Sequence, residues 1–125
     1  MSALQGLRVL VVENDEMNAM LLELQLAQAG AAVSGPAATV DEAMALLGGA
    51  SPDLAVLDFR LGGDQTSEPI AERLGEMGVP FVLATGQTGT RLPSAFDRGI
   101  VLVKPYLAED LVRSLRQAQE IAASS

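Results

Sequence analysis

The chain has 125 residues, 49% hydrophobic and 19% charged, which suits a single globular domain over residues 1–125 with enough apolar material for a proper core. Its formal net charge of −8 argues against direct contact with nucleic acid, which needs clustered Lys and Arg to displace counterions. With no His and no Cys there is no imidazole base, thiol nucleophile, disulfide or ordinary zinc site, so only oxygen ligands and hard cations such as Mg²⁺ remain.

The first six residues lack the basic start and apolar centre of a signal peptide, and no apolar run approaches membrane-spanning length, so a soluble cytoplasmic protein without membrane contact is expected. Leu7 to Val12 is continuously apolar, as in a strand buried on both faces, and runs into Glu13-Asn14-Asp15. From Glu16 to Ala29 the period becomes helical, with Met17, Met20, Leu21, Leu24 and Ala27 read as the inward side and Gly30 as the stop. Leu22 and Leu26 lie off that stripe, either widening the apolar face or forming a docking surface.

Ala32-Val33-Ser34 is a weak second strand, broken by Gly35-Pro36. Thr39-Val40-Asp41-Glu42 has the form of a capping box and predicts a helix over 40–47 that stops at Gly48-Gly49. Leu54 to Leu57 is a third strand ending in Asp58. A loop rich in Gly, Asp and Ser follows, then a helix over 69–77 with Pro69 in its first turn and Ile70, Leu74 and Met77 inward.

Pro80 to Ala84 forms a fourth strand ending in Thr85-Gly86. The turn-prone stretch from Gly86 to Arg91 is expected to be the most mobile, and a short helix is expected over 93–98. Ile100 to Val103 ends in Lys104-Pro105, and the last helix spans 108–122 with Leu111, Leu115, Ala118 and Ala122 on one face. The alternation implies an α/β fold, (βα)₅, with right-handed crossovers and a doubly wound parallel five-stranded sheet. Ligands of such sheets bind beyond the carboxyl ends of the strands, so Glu13, Asn14, Asp15, Asp58, Thr85 and Lys104 should meet in one crevice.

In order and spacing, the acidic cluster after strand one, Asp58 after strand three, Thr85 after strand four and Lys104-Pro105 after strand five resemble the bacterial two-component response-regulator receiver domain, over essentially the whole chain. Gly35-Pro36-Ala37-Ala38-Thr39 and Pro80-Phe81-Val82-Leu83-Ala84-Thr85-Gly86 further resemble an alphaproteobacterial subgroup of single-domain receivers with a PFxxATG motif, often served by kinases of the HWE or related class. The resemblance implies a flavodoxin-like strand order of 2-1-3-4-5. It also implies a phosphoacceptor at Asp58, and Mg²⁺ held by the acidic cluster (Glu13, Asn14, Asp15), Asp58 and the main-chain carbonyl of Arg60. Lys104 would pair with Asp58 and then with a phosphoryl oxygen, and Thr85 would move onto the phosphoryl group after the chemistry.

Having no His, the chain cannot be the phosphodonor, so the implied partner is a sensor histidine kinase or histidine phosphotransfer protein; a monomer or weak dimer is expected. The protein is then no classical enzyme, catalysing only its own phosphorylation and dephosphorylation. Lys104 is the only lysine, and burying one ammonium is costly unless carboxylates surround it.

Three departures stand out. Asn14 replaces the usual metal-binding Asp, with Asp15 one residue late. Val101 replaces the aromatic switch, for which Tyr106 is a partial substitute. Arg60 lies two residues after the phosphoacceptor, where its guanidinium can reach across the pocket mouth.

The competing reading is a pseudo-receiver, the same fold serving as a phosphorylation-independent interaction module. A haloacid-dehalogenase-like phosphatase is disfavoured because Asp58-Phe59-Arg60 lacks a second Asp. An FMN binder is disfavoured by the acidic first loop.

Overall fold

The computed structural model describes residues 3–86 and 91–124. Seven strands and four helices follow in the order β1 (Arg8–Val12), α1 (Glu16–Gln28), β2 (Ala32–Ala37), α2 (Val40–Gly49), β3 (Leu54–Asp58), β4 (Arg60–Gly62), β5 (Gln65–Thr66), α3 (Glu68–Met77), β6 (Phe81–Thr85), β7 (Ile100–Val103) and α4 (Ala108–Ser124); a 3₁₀ turn, Ser94–Phe96, lies between β6 and β7. Five strands form one parallel sheet in the order β2-β1-β3-β6-β7, the expected 2-1-3-4-5 once the small β4–β5 hairpin is set aside.

The central strands are buried on both faces, as their unbroken apolar runs require. On one side Val9, Val11, Leu54, Val56 and Val82 pack against Leu22 and Leu26 of α1 and Leu111, Leu115 and Ala118 of α4. On the other, Leu10, Val12, Ala55, Leu57, Phe81 and Leu83 pack against α2, α3 and Phe96 of the 3₁₀ turn. Among the described residues no helix is long and apolar enough to cross a membrane.

The largest departure from the sequence pattern is the rotation of α1. Met17, Met20, Leu21 and Leu24, expected inward, are 79%, 69%, 52% and 55% exposed, whereas Ala19, Leu22 and Leu26 are buried. Both sides of the helix are apolar, so periodicity alone cannot say which one docks. Its ends decide: Asp15 accepts from the Asn18 amide at 3.1 Å, and beyond the left-handed Gly30 the Ala31 amide returns to the Leu26 carbonyl at 3.0 Å.

β2 runs on through Gly35-Pro36, which sequence chemistry reads as a break. It is an edge strand, where a missing amide is tolerated, and its register against β1 shifts between Leu10 and Val12 at the left-handed Gly35. In α2 the Thr39 hydroxyl accepts from the Glu42 amide at 3.1 Å as expected, but the helix takes in Gly48 and Gly49 and ends where Ala50 becomes extended to reach β3.

The loop after Asp58 is a hairpin, and the helix expected over 93–98 is a single 3₁₀ turn held by the Phe96 amide on the Pro93 carbonyl at 3.1 Å. Residues 87–90 of the stretch read as most mobile lie outside the described residues. Ala122, placed on the inner face of the last helix, is exposed because that helix extends past the sheet.

Candidate functional site

Strand register brings the expected residues to one edge. Val12 pairs with Leu57, Asp58 with Ala84, and Thr85 with Val103, so Glu13, Asp58, Thr85 and Lys104 all lie within two residues of the same strand-end level. Alternation then sorts them by side. Glu13 continues the Val9–Val11 set, Asp58 the Leu54–Val56 set and Lys104 the Ile100–Leu102 set, all on the α1/α4 side; Thr85 continues Phe81 and Leu83 on the other.

Lys104 lies between two carboxylates. Its Nζ is 3.3 Å from Asp58 Oδ1 and 3.5 Å from Glu13 Oε1, with the Glu13 side chain almost wholly buried and the other two partly exposed. The Lys104 amide also donates to the Thr85 carbonyl at 2.8 Å, which ties the end of β7 to the end of β6. Burial pushes the Glu13 carboxyl above its ordinary 4.5; the Asp15 amide opposes this, the Asp58 carboxylate adds to it, and the Lys104 ammonium lowers it.

The first loop spreads its polar groups over different tasks. The Asp15 amide donates to Glu13 Oε2 at 3.2 Å, while the Asp15 carboxylate caps α1. The exposed Asn14 side chain lies over Gly62 of the hairpin, where an added Cβ would sit 3.1 Å from Asn14 Nδ2. Among the described residues no group of three or more acidic side chains is arranged to hold a metal ion. Glu13 and Asp58, drawn together by one ammonium, still match the one or two carboxylates by which Mg²⁺ is commonly bound, its remaining positions being filled by carbonyl oxygen and water.

Two clefts flank this edge. One, about 100 Å³, is lined by Asp58, Phe59, Arg60, Thr85 and Gly86; Thr85 is buried at its wall. The Arg60 guanidinium does not reach across that mouth but lies 5.5 Å over the Phe59 ring. The other, about 410 Å³, opens between α1 and the Lys104-Pro105-Tyr106 segment after β7 and is lined by Glu13, Leu21, Leu22, Gln25, Lys104 and Tyr106 among others.

Tyr106 packs with the α1/α4-side core, across the sheet from Thr85, so it does not stand in for the missing switch ring. Burial, with the charges of Glu13 and Asp58, pushes its hydroxyl up to about 12 and keeps it protonated. Two features escaped the sequence reading: this second cleft and the outward stripe of α1. The spacing of Met17, Met20, Leu21 and Leu24 announced a stripe, but not that it faces solvent.

Known structures share this fold. The chain is 35% identical to SdrG from Sphingomonas melonis, covering 93% of this chain and 97% of that one, with a TM-score of 0.76. It is 27% identical to the signal receiver domain of a modulated diguanylate cyclase from Desulfovibrio desulfuricans, covering 94% and 97%, with a TM-score of 0.78. The chain belongs to the response-regulator receiver family. The receiver also matches 51% of the response regulator PhyR from Brucella abortus at 25% identity and a TM-score of 0.79. No protein-family model and no curated protein matches the sequence.

Proposed function

We propose that this receiver accepts a phosphoryl group on Asp58 from a histidine kinase or histidine phosphotransfer protein in the cytoplasm, and signals through protein contacts. The observation that carries the reading is the Lys104 ammonium held at 3.3 Å from Asp58 and 3.5 Å from a buried Glu13. A chain with a single lysine places it where an acyl phosphate on Asp58 would need a cation.

In the proposed reaction a carboxylate oxygen of Asp58 bonds to phosphorus as the P–N bond to the partner's imidazole breaks. The imidazole leaves with the electron pair and takes up a proton from solvent. Glu13, Asp58 and the Arg60 main-chain carbonyl would hold Mg²⁺, with Asn14 offering a neutral oxygen; the ion's chemistry there is to offset charge on the phosphoryl oxygens. Lys104 is released from Asp58 to a phosphoryl oxygen, and the Thr85 hydroxyl closes from the opposite side of the sheet.

The partner meets α1, where Met17, Met20, Leu21 and Leu24 form an exposed apolar stripe on a helix with Glu16 and Glu23 and no Lys or Arg. A helical stem with an apolar seam and basic flanks fits it. Intact-mass measurement after incubation with acetyl phosphate and Mg²⁺ tests the reaction: one phosphoryl mass is gained by the wild type and none by Asp58→Asn.

A second reading, the phosphorylation-independent module, is favoured by one observation: Asp15 caps a helix and Asn14 is neutral, which leaves two carboxylates for the metal. A wild type that never gains the mass, while Asn14→Asp does, would establish that reading instead.

A further inference from the structure

The chain's three phenylalanines form one row that starts beside Asp58 and ends at the start of β6, against Gly99. Phe59 follows Asp58 directly, and its ring meets Phe96 edge to face, with centroids 5.5 Å apart and planes at 66°. Phe96 meets Phe81 in the same manner at 6.5 Å and 77°. Phe96 and Phe81 are buried, and Phe81 lies so close to Gly99 that no side chain fits there, so the far end of the row is walled in. The near end is open: Phe59 is half-buried and carries the Arg60 guanidinium over its ring at the rim of the cleft shared with Asp58 and Thr85.

We propose that Arg60, Phe59 and Phe96 form a relay that reports the charge on Asp58 to the 3₁₀ turn Ser94–Phe96. The proposal rests on the reading of Asp58 as phosphoacceptor and adds the route by which its state leaves the site. An exposed guanidinium over a ring is weakly held, whereas a phosphoryl group offers two oxygens for charge-assisted hydrogen bonds. A phosphoryl group on Asp58 therefore draws Arg60 off the Phe59 face.

Phe59 then loses the group that lies over its outer face and shifts against Phe96. Phe96 is close-packed, and such interiors move between discrete packings instead of deforming smoothly. Because Phe96 is itself part of the 3₁₀ turn, whose bonds run from Phe96 to Pro93 and from Asp97 to Ser94, its new packing moves the backbone before β7.

Three phenylalanines allow a direct test, since uniform 4-fluorophenylalanine labelling yields three ¹⁹F resonances, with Phe59 and Phe96 assigned by Phe59→Leu and Phe96→Leu. In the phosphate-free protein, Arg60→Ala moves the Phe59 resonance and the Phe96 resonance with it. In the Phe59→Leu background, Arg60→Ala leaves Phe96 still. A Phe96 signal that ignores Arg60→Ala, or follows it equally without the Phe59 ring, overturns the relay.

Adding Mg²⁺ and beryllofluoride to the wild type moves both signals, and Phe59→Leu removes most of the Phe96 response while leaving the mass gain with acetyl phosphate intact. A Phe96 response undiminished by Phe59→Leu overturns the relay as well. A wild type that neither gains the mass nor responds to beryllofluoride sinks the proposed function, and the Arg60→Ala arm still decides whether the rings are coupled.

Discussion

Helices α1 and α4 cover the same side of the sheet, yet they meet solvent differently. In α4 one apolar stripe, Leu111, Leu115 and Ala118, is buried, and the opposite side is Arg, Gln and Glu. In α1 a stripe of three, Ala19, Leu22 and Leu26, is buried while four apolar side chains, Met17, Met20, Leu21 and Leu24, face outward. A helix with one stripe docks in one way, and its orientation can be read from periodicity. A helix with two apolar sides buries one in folding and leaves the other at the surface, and its orientation cannot be read from periodicity.

The largest effects should separate the two sides of α1. Leu26→Ala and Leu115→Ala each remove a fully buried side chain and should cost about 2–5 kcal/mol in urea unfolding. If Leu24→Ala costs as much as Leu26→Ala, the rotation of α1 is wrong and the comparison breaks.

A middle-sized effect tests what pins the helix. Asp15→Ala removes the cap on Asn18 and should cost ~1 kcal/mol. If instead it leaves stability unchanged but abolishes phosphorylation, Asp15 serves the metal and not the helix.

Glu13→Gln probes the edge where the two helices meet the site. Burial raises the folded-state value of this carboxyl above 4.5, so its contribution to stability is full below pH 4.5 and is lost as pH rises through the raised value. In Mg²⁺-free buffer the variant should therefore gain stability relative to wild type across that window. A constant difference at all pH values would rule out this account of Glu13.

The smallest effect on stability sharpens the comparison most. Met20→Ala and Leu24→Ala should each change unfolding free energy by no more than about 0.5 kcal/mol, while slowing phosphotransfer from a partner kinase and leaving acetyl phosphate labelling unchanged. Equal slowing with both donors would place the defect in the site and not in docking.

Much of the fold was legible because it rests on local chemistry. Continuous apolar runs marked β1, β3 and β6, Thr39 marked the start of α2, and a single stripe oriented α4. Harder to read were features set by neighbours. Gly35-Pro36 continues a strand because that strand lies at an edge, and Asp58-Phe59-Arg60 opens a hairpin because Arg60 finds Thr66 across it.

At the site, the residue types and their strand ends could be named from order and spacing alone. Their sides could not: Tyr106 follows Pro105 in the chain yet packs away from Thr85, and Arg60 rests on Phe59 instead of spanning the cleft.

By itself the sequence determined a parallel α/β sheet with Glu13, Asp58, Thr85 and Lys104 at its carboxyl edge, since hydrophobic period and strand-end chemistry are properties of short segments. Only the tertiary structure decided that Lys104 joins Asp58 to a buried Glu13, that the Asp15 carboxylate caps α1, and that α1 turns its larger apolar stripe to solvent. Those outcomes depend on which groups from distant segments compete for the same partner, and that competition begins only once the strands lie side by side.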